Sequence, residues 1–165
     1  MNSLLSVYKI QSWSIPMTRT GFGPHLDQTT ETVIGSAFAV SNELGHGFLE
    51  AVYRNAMTVE LTRQGVAVEK EKPFLIDYKG VQVGYYVADL VVADCVIVEL
   101  KAVQSLIPAH SAQLLNYLKA ARLGIGLLFN FGAPRVEMKR IINRRYFDEG
   151  KGEVVDKLKT DEIRI

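Results

Sequence analysis

Cysteine is nearly absent from this 165-residue sequence, which holds Cys95 alone. A single thiol cannot close an internal disulfide or supply a multi-cysteine metal site, so the expected compartment is a reducing cytoplasm and Cys95 is expected to be a buried structural thiol. Long apolar runs are missing too: none approaches the ~18 residues of a membrane span. The opening "MNSLLSVYKIQSWSIP" has too short an apolar stretch, and the wrong flanks, for a secretory signal. The reading is a soluble protein with no membrane partner. Net charge is close to zero, 19 basic against 18 acidic residues, which excludes a global basic field and leaves any polyanion binding to local patches. One such patch is residues 135–145, with five basic residues against one acid; a solvated surface would have the same composition. Internal repeats and low-complexity segments are also absent.

What is present is enough apolar material, 48% of residues, for one α/β domain with a sizeable core. Residues 1–25 are read as a flexible extension, within which Met17 offers a second start, and residues 148–165 as a polar tail. The domain is expected over residues 26–147. "DQTTETVIGSAFAVSNEL" fits a helix capped by Asp27, with Val33, Ile34, Ala37, Phe38 and Leu44 on one stripe. "GHG" interrupts it, and "FLEAVYRNAMTVELTRQG" restarts with Leu49, Val52, Ala56 and Val59 at helical spacing. Three strand-like segments follow, linked tightly at Lys79-Gly80 and Ala93-Asp94, so antiparallel neighbours are expected. "SLIPAHSAQLLNYLKAARLG" is a helix with Pro108 in its first turn. "IGLLFNFG" is a buried strand, expected to run parallel to the previous one after a right-handed crossover. "VEMKRIINRRYF" is open between strand and short helix. The expected order is αβββαβ around a mixed sheet of about four strands.

Within "YVADLVVADCVIVELKAV" three charges interrupt apolar faces. Alternation on a strand puts Glu99 and Lys101 on one face, roughly 7 Å apart, with Val96, Val98 and Leu100 on the other. If the preceding strand pairs here, Asp89 lies beside Glu99. Two carboxylates repel and Lys101 compensates in part; a divalent cation such as Mg²⁺, taking one or two carboxylates and several waters, resolves the imbalance. The competing reading is a structural Glu99–Lys101 pair at a sheet edge, with Asp89 solvated. On the following helix His110, Gln113 and Tyr117 line one stripe, suited to orienting a phosphate or a metal-bound water. Glu50 is a further acidic candidate, one turn before Tyr53.

Taken together, "GFLEAVY" (Gly47, Glu50, Tyr53) and "AD…VELK…AHSAQLLNYLKA…GLLFNFG" resemble the GxxExxY proteins, a branch of the PD-(D/E)XK nuclease superfamily with the Gln-x-x-x-Tyr motif of RecB-type nucleases. The fold this implies is the restriction-endonuclease-like core. The resemblance implies that Asp89, Glu99 and the backbone carbonyl of Leu100 bind Mg²⁺ or Mn²⁺, with Glu50 supporting the metal. It implies that Lys101 orients the attacking water and that Gln113 and Tyr117 position water and substrate, with His110 and Tyr53 as further substrate contacts. Ala88 stands where the superfamily's name has proline, and the missing cysteines exclude the iron–sulfur cluster of some relatives. The implied activity is metal-assisted hydrolysis of DNA or RNA, and a homodimer is one expected assembly for cutting a duplex.

Two other readings stay open: a nucleic-acid-binding or protein-interaction module that keeps the fold without turnover, and a hydrolase of another phosphate ester. For a single-stranded substrate, Tyr85, Tyr86 and Tyr117 are the stacking candidates.

Overall fold

The computed structural model describes residues 23–148 and 162–164. The extension up to residue 22, Met17 included, and the tail over 149–161 and 165 lie outside the described residues. Helix α1, Pro24–Leu44, starts with proline in its first turn and ends at Gly45, whose φ of 68° suits glycine and whose N–H reaches Ser41 O at 2.9 Å. Asp27 is not its N-cap; Gly23 is, and Asp27 lies in the first turn, where an acid favours the helix dipole. Val33, Ala37 and Val40 are buried, and the buried Thr30 and Ser36 satisfy their hydroxyls on the Leu26 and Thr32 carbonyls.

Helix α2, Glu50–Arg63, differs from its expected stripe. Tyr53, Met57 and Leu61 are buried, whereas Leu49, Val52 and Val59 are exposed. Both sets repeat at helical spacing, so periodicity could not choose between them; the wider Tyr53–Met57–Leu61 ridge, packed with Val33, Ala37 and Val40 of α1, wins on buried area.

Strands β1 (Val68–Tyr78), β2 (Val81–Val92) and β3 (Val96–Lys101) form an antiparallel meander. Helix α3, Pro108–Ala121, crosses over to β4, Ile125–Asn130, which runs parallel to β3 as expected. The untyped segment divides into β5, Glu137–Ile142, and the short helix α4, Arg144–Asp148; β6, Glu162–Arg164, then pairs with β5. The sheet therefore has six strands in the order β1-β2-β3-β4-β5-β6, two more than expected. Helices α1 and α2 cover one face over Leu90, Val98, Leu100 and Phe129. Helix α3 covers the other, with Leu114 and Leu118 on Ala88, Val91, Ile97 and Leu128.

One irregularity places the site. Lys70 pairs with Leu90 and Lys72 with Ala88, but Glu71, at φ 50°, and Asp89 between them fall out of the ladder. The sheet kinks there, and β2 changes faces: Ala88 packs in the α3 layer, Leu90 in the α1–α2 layer. Such breaks re-aim a side chain, here Asp89. Cys95 is half-buried, not buried; its thiol donates to Val92 O at 3.7 Å, and burial pushes its pKa up. The basic patch at residues 135–145 is not one solvated surface either, because Arg140 on β5 is only 4% exposed.

Candidate functional site

Strand β3 is the middle of the sheet, and it carries Glu99 and Lys101 on the α3 side. Glu99 is 4% exposed. Its Oε1 accepts from Lys101 Nζ at 3.2 Å, while its buried Oε2 has no hydrogen-bond partner. Burial first, then the neighbouring Asp89 charge, raise its pKa to about 7 against the opposing pull of Lys101 and, last, of the Asp89 backbone N–H, which lies near the carboxylate without closing a full hydrogen bond. Asp89, released from the ladder at the kink, accepts the Leu100 N–H at Oδ2 and the Arg54 guanidinium at Oδ1, both at 2.9 Å. The structural alternative is thus half present. The Glu99–Lys101 pair forms, but at the sheet's centre and not at an edge, and Asp89 is held by two donors instead of by solvent.

Arg54 went unnoticed in the sequence. It lies one turn after Glu50 on α2 and bridges Asp89 to Glu71 Oε1, 3.1 Å away. Its signal was the i, i+4 spacing from Glu50. Glu50 itself does not join the two carboxylates: its Oε1 accepts the Ala102 N–H at 3.2 Å, fixing the residue after Lys101. Among the described residues no group of three or more His, Cys, Asp or Glu side chains is arranged to hold a metal. What remains is a pair, Asp89 and Glu99, with one orphaned buried oxygen. A buried carboxylate oxygen without a partner is costly, and hard oxygen donors from two carboxylates, with water for the rest, are what Mg²⁺ takes; the residues fit such a cation.

From α3, Gln113 Nε2 donates to Tyr117 Oη at 3.0 Å. Tyr117 is 6% exposed, its ring centroid lies 4.9 Å from that of Tyr86, and burial followed by the Glu99 charge raises its phenol pKa. The Tyr117 ring, a stacking candidate in the sequence, is therefore core, and Tyr86 packs against it. Tyr85 is exposed on the opposite hairpin face. His110 Nδ1 accepts the Ile107 N–H at 3.2 Å, so its ring caps α3 and its proton sits on Nε2. Its pKa is lowered by burial and by Lys101 and Lys139, with Glu50 opposing.

Tyr53, expected as a substrate contact, has no exposed surface to offer one. It is fully buried, stacked 4.5 Å from Phe131, and its hydroxyl donates to Gly45 O at 3.0 Å and accepts the Phe48 N–H at 3.2 Å. That residue pins the α1–α2 link. Asn130, also unnoticed, ends β4: its Oδ1 accepts the Val103 and Gly132 N–H groups, both at 3.0 Å, and its Nδ2 donates to Glu137. An asparagine inside the apolar run "GLLFNFG" was the available signal. Between these pinned loops an open cleft of about 720 Å³ is lined by Phe48, Leu49, Glu50, Arg54, Ala102 and Gly132 among others.

No curated protein matches the chain. Among solved structures, one described as "Crystal structure of SSO0001" is similar at 19% identity and a TM-score of 0.44, over 77% of this chain and 65% of that one; this chain thus spans less than two thirds of that protein's length. A family model described as the PD-(D/E)XK nuclease superfamily matches residues 27–141. That span runs from the first turn of α1 to β5 and takes in Asp89 at its kink, the Glu99–Lys101 strand and the Gln113–Tyr117 helix, so this chain belongs to the PD-(D/E)XK nuclease superfamily.

Proposed function

We propose that the protein is a Mg²⁺- or Mn²⁺-dependent phosphodiesterase that hydrolyses DNA or RNA, within the GxxExxY branch that Gly47, Glu50 and Tyr53 resemble. The observation that carries this is the orphaned Oε2 of Glu99 next to Asp89, with Lys101 on the other Glu99 oxygen. Asp89, Glu99 and the Leu100 carbonyl would hold the cation. When bound, it lowers the pKa of a coordinated water and polarises a phosphoryl oxygen.

Each oxygen of Asp89 keeps a free lone pair beyond the Leu100 and Arg54 bonds, so ligation does not require those bonds to break. Lys101 leaves the Glu99 oxygen to orient the attacking water and to meet charge that develops on the phosphate. Gln113, held on the Tyr117 hydroxyl, positions that water. Glu50 fixes the backbone at Ala102 and thereby the approach of Lys101. His110, whose neutral form is favoured, offers its Nε2–H to a substrate oxygen.

One observation favours a second reading. Arg54 already neutralises Asp89, as it would in a non-catalytic nucleic-acid-binding or interaction module on a retained fold. Isothermal titration of Mg²⁺ and Mn²⁺ into the wild type and Glu99→Ala, beside a cleavage assay on single-stranded and duplex substrates, separates the two. The nuclease reading expects wild-type metal binding and cleavage, both lost in a folded Glu99→Ala. A folded wild type that binds neither metal sinks it and leaves the second reading.

A further inference from the structure

The cleft lined by Glu50 and Arg54 has an apolar rim that neither the core nor the metal chemistry uses. Phe48 is 47% exposed and Leu49 78% exposed, and both line the cleft. The link that carries them is held firmly. Tyr53 bonds it at Gly45 O and Phe48 N, and its ring meets Phe48 edge-on, centroids 6.2 Å apart at 78°. A link needed only to join two helices would gain by turning Phe48 inward. Here a buried tyrosine fixes the ring in an outward position, the kind of preorganisation that lowers the entropy lost on binding. The same cleft runs to Arg54, whose guanidinium is on Asp89, and to Ala102, which follows Lys101. Its volume of about 720 Å³ falls within the roughly 300–1,000 Å³ usual for small-molecule sites.

We propose that this cleft seats one unpaired nucleotide of the substrate, its base stacked on Phe48 and its phosphate directed toward Arg54 and the Asp89–Glu99 pair. The proposal rests on the nuclease reading and adds the substrate class, single-stranded or locally unpaired nucleic acid. A base within a duplex has both faces covered by its neighbours, so only an unstacked base can offer a face to the Phe48 ring. Stacking on an aromatic side chain tolerates any base, so the subsite does not read sequence. Leu49, next to the ring, extends the apolar contact along the base edge. Tyr53 acts through Phe48 and is a positioning residue.

The test compares wild type, Phe48→Ala and Phe48→Trp by thermal melting, by Mg²⁺ titration, and by cleavage of a fluorescent oligonucleotide offered single-stranded, as a duplex, and single-stranded with one abasic residue moved stepwise along it. Binding of the same oligonucleotides is measured in Ca²⁺ by anisotropy. The expected result is a single-strand KM and Kd raised on the order of ten- to a hundredfold in Phe48→Ala, with unchanged melting and metal affinity, and recovery in Phe48→Trp. One abasic position should weaken the wild type and leave Phe48→Ala indifferent. If wild type and Phe48→Ala cleave and bind the single strand equally, the subsite is overturned while the nuclease reading stands. If the wild type cuts nothing yet Phe48→Ala still loses single-strand binding, the nuclease reading fails and the base contact survives.

Discussion

Glu99 is a buried carboxylate whose titration can be read directly. In the folded chain burial and the Asp89 charge push its carboxyl from the ordinary 4.5 up to about 7. Between those values the folded protein keeps a proton that the unfolded chain has released, so stability falls as pH rises through the window. The effect is on the order of 3 kcal/mol across it. In EDTA the melting temperature is therefore expected to drop between pH 4.5 and 7 and level off above. Glu99→Gln, which cannot titrate, should flatten this slope. Added Mg²⁺ needs the deprotonated carboxylate, so its stabilisation should grow over the same interval. Thermal melts across pH with and without Mg²⁺ read all three curves; a wild-type slope identical to that of Glu99→Gln would move the titration elsewhere.

At the scale of elements, the loops that face the cleft are fixed by a few backbone approaches. The end of β4 passes so close to the segment after β3 that a Cβ on Gly132 would strike the Val103 backbone, which cannot move aside as a side chain could. Gly132→Ala is expected to cost toward the upper end of about 1–3 kcal/mol and to lower activity with it, because the Val103 N–H, held by Asn130, sets the path beyond Lys101. Chemical denaturation checks the first part; a Gly132→Ala protein as stable as wild type would mean that the two segments are free to separate. None of this was legible in the sequence. Glu99 and Lys101 could be placed on one face because a strand has a period of two, and the parallel β3–β4 pair followed from one intervening helix. The buried stripe of α2 could not be, since Leu49, Val52 and Val59 repeat as well as Tyr53, Met57 and Leu61. Nor could the kink at Glu71 and Asp89, where the strands keep their register on both sides but the pair between them drops out. The alternation rule alone would have kept Ala88 and Leu90 on one face, and their split between layers is what frees Asp89 to meet both Leu100 and Arg54.

For the whole molecule the informative quantity is the absent field. With a net charge of +1 there is no global field to gather nucleic acid, so on the proposed reading affinity is expected from local contacts, first those of the cleft. Of the charged side chains only Glu50 and Arg54 line it, Asp89 lies on the Arg54 guanidinium, and a cation held there would add positive charge beside them. Few phosphates can be neutralised in this way. Each contributes about −0.7 to the slope of log K against log salt for a single strand, so a slope on the order of −2 is expected. Anisotropy titrations of a single-stranded oligonucleotide in Ca²⁺ at several KCl concentrations measure it. A slope steeper than about −5 would require many more phosphate contacts and would move the footprint toward the exposed Arg135, Arg144 and Arg145, outside the cleft. A shallow slope that becomes no shallower when those three arginines are replaced would leave the phosphate contacts with Arg54, Lys101 and the cation, and the remaining affinity with the contact at Phe48.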